Sequence, residues 1–131
     1  MNWIIFEDLD VADSFPKRLK GLEGKRELPE TYGLLFPKCK SVHMKGMKMP
    51  LDVLYFDEHW HMLGSETLEP GAWGRAPRGT EHTLECDAGT VRRKGIAVGD
   101  KLAVNVHQLG RYGRRVRGSE WPTRPMSKRV S

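Results

Sequence analysis

The sequence predicts a mainly β fold: a compact single-domain β-sandwich or small barrel with one or two short helices. Three observations point there. The apolar residues fall in short runs of strand length, several with period-two alternation. Glycine, proline and acidic turn residues separate those runs at short intervals. The chain of 131 residues, 38% hydrophobic and 30% charged, is long enough to bury one core without disulfide or metal staples.

The elements follow in order. Trp3-Ile4-Ile5-Phe6 is the first apolar run. No basic stretch precedes it and acidic residues follow at once, so it reads as a strand rather than a secretory leader, and the expected compartment is the cytoplasm. Ser14–Lys20 is a short helix with Ser14 as N-cap and Pro16 in the first turn. Gly33-Leu34-Leu35-Phe36 is a second strand, ended by Pro37. Residues 52–57 make the strongest strand, followed by a turn at Asp57-Glu58-His59 and a return strand through Trp60-His61-Met62-Leu63. Between Glu69 and Thr80, a loop carrying Pro70, Gly71, Gly74, Pro77 and Gly79 crosses one end of the sheet. Residues 82–86 and 101–107 alternate as strands, and Ala88–Lys94 forms a second helix closed by Gly95. There is no internal repeat and no run long enough to span a bilayer.

Charge divides the chain. Residues 110–131 hold Arg111, Arg114, Arg115, Arg117, Arg124, Lys128 and Arg129 against the single acid Glu120. Taking these 7 and 1 from totals of 22 and 17 leaves 15 basic and 16 acidic residues before position 110. The expected organisation is therefore one β-rich domain over 1–109 and a basic, flexible tail over 110–131. Such a tail suits nucleic acid or another polyanion, with Tyr112 and Trp121 available to stack on bases; the competing reading is a solvated extension.

Cys39 and Cys86 belong to no metal-ligand spacing. Cys86 alternates with Leu84 and reads as a small buried hydrophobe. Cys39, between Lys38 and Lys40, would need a base to act as a nucleophile, and His43 is near it in sequence only.

The most informative stretch is His43-Met44-Lys45-Gly46-Met47-Lys48-Met49-Pro50-Leu51-Asp52. Ionisable groups here flank apolar residues ahead of a core strand, where charge is costly unless paired or used. Read with four other segments, this stretch resembles the bacterial and archaeal family called domain of unknown function 192. The family's R-x-x-G-L is Arg18-Leu19-Lys20-Gly21-Leu22, with Leu28 following at the expected distance; its G-M-L-F is Gly33-Leu34-Leu35-Phe36. Its W-M-K-N-T-x-x-P-L-D is the stretch just quoted; its L-E-x-x-A-G is Leu84–Gly89, and its G-I-x-x-G-D is Gly95–Asp100. The resemblance implies a compact, mostly β fold and brings no established activity. Four positions depart from the pattern: His43 replaces tryptophan, Gly46-Met47 replaces Asn-Thr, and Glu23 replaces methionine. A pocket shaped by the tryptophan and asparagine in relatives would be altered here.

The resemblance singles out Arg18, Lys45, Asp52, Glu85 and Asp100. Asp100 reads as a turn residue before the last strand. The others, with His43 and Met44, are the expected ligand-binding residues. Arg18 and Lys45 would grip an anion while Asp52 and Glu85 orient it, in a pocket walled by Phe36, Met44, Leu51 and Tyr55. Structural duties compete: Arg18 as a clamp on carboxylates, Asp52 as the cap of a turn after Pro50. Glu85, on the opposite face from Leu84 and Cys86, is exposed or lines a cleft. His43, Met44, Met47 and Met49 together make a soft-ligand set suited to Cu(I), and His59-Trp60-His61 puts two imidazoles on one face. Methionines near a core usually fill space, and lone histidines such as His82 and His107 usually pack, so no metal or cofactor is expected. No nucleophile elbow, zinc-protease motif, phosphate loop or dinucleotide fingerprint occurs. The expected function is thus a small non-enzymatic module that binds a ligand or partner near Lys45 and Asp52. The alternatives are polyanion binding through the tail, or an enzyme using Lys45, Asp52 and Glu85.

Overall fold

The computed structural model describes residues 1–12 and 21–104. The expected helix Ser14–Lys20, residues 105–107 of the last expected strand, His107 and the basic tail lie outside the described residues. Within them the elements are β1 (Trp3–Ile4), β2 (Asp8–Val11), β3 (Tyr32–Phe36), β4 (Leu51–Phe56), β5 (Met62–Leu68), β6 (His82–Asp87), α1 (Thr90–Lys94) and β7 (Lys101–Leu102). Five strands form one mixed sheet in the order β2-β3-β6-β4-β5, and β1 pairs with β7 as a separate two-stranded ribbon. The β2–β3 and β1–β7 pairs are parallel and the rest antiparallel. Among the described residues the large sheet keeps two edges, β2 and β5, so no barrel closes there and the architecture is sandwich-like.

Both faces of this sheet are covered, which explains why β4 is buried at all six positions and reads as a nearly continuous apolar run. On one face, Leu35, Leu54, Phe56, Leu84 and Cys86 pack against Ile4, Phe6, Leu102 and Val104 of the terminal segments. On the other, Leu34, Phe36, Leu51, Val53 and Tyr55 pack against Leu22, Val42, Met44, Met47 and Met49. The second layer is irregular chain rather than sheet. Its 42–44 segment is held by pairing with the 71–74 segment: Met44 N–H donates to Ala72 O at 2.8 Å and Gly74 N–H to Val42 O at 2.9 Å. The loop between Glu69 and Thr80 therefore braces the covering layer.

The β4–β5 hairpin is set by Asp57, whose Oδ1 accepts the N–H groups of His59 and His61, each at 2.9 Å. Trp60 is carried through at φ 71° and buried completely. This wider turn starts β5 at Met62 rather than Trp60. Asp8–Val11, not expected as a strand, is short and half polar, and it forms because its backbone finds the edge of β3. Helix α1 begins two residues later than expected because Gly89 has φ 94°, and it ends as expected at Gly95, with φ 64°. Asp100 has the turn role read from the sequence: its carboxylate accepts from Ala97 N–H at 2.9 Å and from Asn2 N–H at 3.0 Å. It thereby also ties the chain's start to β7.

Candidate functional site

Strand register separates the two acids that the sequence placed together. Asp52 of β4 stands opposite Cys86, while Glu85 stands opposite Val53. Since successive side chains alternate between faces, Asp52 and Glu85 project from opposite sides of the sheet. Both Asp52 oxygens are engaged. Thr67 Oγ1 donates to Oδ1 at 2.7 Å, and Val91 N–H donates to Oδ2 at 3.0 Å. Gly89 precedes α1 and offers no side-chain cap, so Asp52 supplies the acceptor for the helix's free first-turn N–H from 39 residues away. It caps a helix end rather than the turn after Pro50, and it has no part in a cleft with Lys45.

Glu85 is different. It is 5% exposed, flanked in register by Leu34 and Val53, and no described residue donates a hydrogen bond to its carboxylate. Burial pushes its carboxyl up to about 7 from the usual 4.5, as expected when charge is moved into an apolar setting without compensation. Glu85 lines a cavity of about 90 Å³ together with Gly21, Glu23, Phe36, Cys39, Ser41, His43, Lys45 and Met47. The turn at Gly21 makes this possible. Gly21 has φ 53°, and a Cβ there would lie 3.4 Å from the Phe36 ring and 3.7 Å from Glu85 Oε1.

The other candidates divide clearly. Lys45 and His43 lie at the cavity with exposed side chains; the His43 ring leans on exposed Trp73 with centroids 5.2 Å apart. Met44 is 0% exposed, Leu51 0% and Tyr55 1%. These three belong to the core beneath the cavity, not to its walls, whereas Phe36 does line it. Arg18 lies outside the described residues. Met44 and Met49 are core side chains, and of the three methionines only Met47 joins His43 at the cavity lining, so the soft-ligand set does not converge. Among the described residues no three histidine, cysteine or acidic side chains group as a metal site. His59 lies 3.3 Å from Glu58 and His61 3.8 Å from Asp57.

His82 and Cys86 are packed, as their alternation suggested. The His82 ring stacks on Trp60 at 3.8 Å and 7°, and its Nδ1 accepts Lys38 N–H at 3.0 Å. Burial, aided by Lys38, pulls the imidazole down to about 3. Cys86 is 0% exposed, and burial raises its thiol well above the ordinary range. Cys39 is half-buried in the cavity wall, its thiol donating to Ser41 O at 3.2 Å.

Sequence reasoning missed Glu23 as a site residue, though it marked the position as a departure from the family pattern. Glu23 and Gly46, two such departures, touch. Gly46 has φ 81°, and a Cβ on it would lie only 2.5 Å from Glu23 Oε2. The glycine thus leaves the space that the glutamate occupies.

The fold and the site together define a β-sandwich-like domain with a small acid-floored cavity under an irregular covering layer. The chain belongs to the family domain of unknown function 192, described as uncharacterized ACR, whose pattern matches residues 4–104. Two solved structures are similar. One, from Sinorhizobium meliloti 1021 and described as a "putative transcription regulator", is 27% identical with a TM-score of 0.61, over 71% of this chain and 78% of that one. The other, a protein of unknown function from Novosphingobium aromaticivorans DSM 12444, is 24% identical with a TM-score of 0.63, over 71% of each chain. No curated protein matches.

Proposed function

We propose that this protein is a small ligand-binding module whose site is the cavity floored by Glu85 and rimmed by Lys45, His43 and Glu23. One observation carries the reading: a buried carboxyl, raised by desolvation, faces an open cavity and accepts no hydrogen bond from the described residues. Buried polar groups are ordinarily satisfied, and an exception at a cavity points to a partner from outside. Of the residues expected to bind, Glu85, Lys45 and His43 remain in this reading. Asp52 and Met44 do not, and Arg18 carries none of it.

The cavity contains its own reporter. Cys39 is half-exposed in its wall while Cys86 is sealed, so a thiol reagent reads the cavity alone. In a screen of small polar compounds, a true ligand should raise the melting temperature by mass action and slow alkylation of Cys39 by iodoacetamide. Both effects should vanish in Ser41→Phe, which fills the cavity. Stabilising compounds that leave Cys39 alkylation unchanged would contradict the proposal.

A second reading, polyanion binding through residues 110–131, has charge in its favour: seven basic side chains against one acid. The transcription-regulator description of one structural neighbour accords with it. It requires affinity for DNA or RNA that falls steeply with salt and is lost on truncation after Leu109.

A further inference from the structure

We propose that the ligand taken by this cavity carries a small organic cation, an ammonium or amidinium group, held between the carboxylates of Glu85 and Glu23. The proposal names the ligand class for the site above and rests on that reading.

Glu85, 5% exposed, presents its carboxylate to the cavity without a donor from the described residues, and a donor bearing positive charge compensates such a group best. Glu23, from the 21–24 turn, lies over Gly46 at the rim, in space that any side chain at position 46 would take. Two carboxylates from separate segments therefore border one small volume. Among the described residues Lys45 is the only lysine or arginine lining it, and no ion pair joins Lys45 to either acid.

The other groups facing Glu85 leave this balance in place. Tyr32 on β3 is pushed up to about 12 by burial and Asp10, and Tyr55 on β4 is raised by burial and by its hydrogen bond to Glu66; both phenols stay neutral. Glu66 is occupied by the Tyr55 hydroxyl and Arg75 N–H, each donating at 2.6 Å. The Cys39 thiol is engaged with Ser41 O, and His43 with Trp73 extends the rim as an aromatic surface suited to the alkyl part of an amine. Among the described residues no three histidine, cysteine or acidic side chains group as a metal site, so two carboxylates here would leave most of a hard ion's coordination to water. The cavity is thus selective for a compact cationic donor rather than the anion that Lys45 alone would suggest.

The test is a titration of the ¹⁵N-labelled full chain with methylammonium chloride, sodium acetate and acetamide, three probes of similar size, at matched ionic strength and pH 8. Very small ligands bind weakly, so the useful range is tens of millimolar. Methylammonium is expected to shift the amides of Gly21, Glu23, Lys45 and Glu85 saturably. Glu85→Gln, which keeps the shape and removes the charge, should weaken binding at least about tenfold. Glu23→Gln, at the solvated rim, should weaken it about two- to fivefold. With Glu85 titrating at about 7, affinity should fall about tenfold between pH 8 and pH 6. Saturable shifts with acetate and none with methylammonium would overturn the cation proposal while leaving a ligand site in place. No saturable shift with any probe would also overturn it, and the ligand reading would then rest on the Cys39 screen. Saturation by methylammonium that persists unchanged in Glu85→Gln would place the cation elsewhere and overturn the proposal as well.

Discussion

Glu85 and His82 stand three residues apart on β6, face opposite sides of the sheet, and titrate in opposite senses. The folded protein holds the Glu85 proton more tightly than the unfolded chain does, with a midpoint of about 7 against 4.5. Its contribution to stability is complete below pH 4.5 and is lost as pH rises through 7, in total roughly 3 kcal/mol. His82 is the reverse: at about 3 against 6.5, its contribution is complete above pH 6.5 and is lost as pH falls toward 3. Over pH 4.5–6.5 the two oppose, so wild-type stability should change little. Chemical denaturation of Glu85→Gln should show stability rising with pH across that window, and the variant should be the more stable protein above pH 7. A wild-type-like profile in Glu85→Gln would contradict the assignment. At this scale the sequence was half legible. Alternation along residues 82–86 placed Glu85 away from Leu84 and Cys86, but nothing local announces that position 85 pairs with 53 rather than 52. That single step of register moved Asp52 to the other face.

Asp52 then matters at the scale of the element, because one carboxylate joins β4, β5 and α1. Asp52→Ala would leave the Thr67 hydroxyl and the Val91 N–H without their acceptor; about 2–4 kcal/mol of stability should be lost, with ligand binding at the Glu85 cavity unchanged. The methionine segment makes a similar distinction between packing and chemistry. Met44→Ala should cost about 2–5 kcal/mol and Met44→Leu less than about 1.5 kcal/mol, as thermal unfolding would show. A Met44→Leu variant as unstable as Met44→Ala would mean that the sulfur does more than fill space. The elements with strong patterns, β3, β4, β6 and α1, were readable from apolar runs and from the glycine at the helix end. β2 was not, because Asp8–Val11 becomes a strand only by finding the edge of β3. The covering layer was not either, because residues 37–50 have no periodicity to read and are ordered by tertiary contact.

For the whole molecule, covering the central sheet on both faces has a consequence for function. The face under the β1–β7 ribbon is packed by Ile4, Phe6, Leu102 and Val104, whereas the other is covered by irregular chain over a cavity that Glu85 lines. Restoring the family's asparagine tests how this chain has shaped that opening. Asparagine tolerates the left-handed backbone at position 46 better than most residues, so Gly46→Asn should fold while displacing Glu23. It should weaken methylammonium binding about as much as Glu23→Gln does; binding equal to wild type would remove Glu23 from the site. The state of the Glu85 carboxyl decides whether the site exists, and a ¹³C NMR titration of that side chain in the full chain reads it without any ligand. A midpoint near 7, moving down when methylammonium is added, is the predicted result. A midpoint near 4.5, unmoved by the amine, would mean that the carboxyl is already solvated or paired, and the proposed site would be lost.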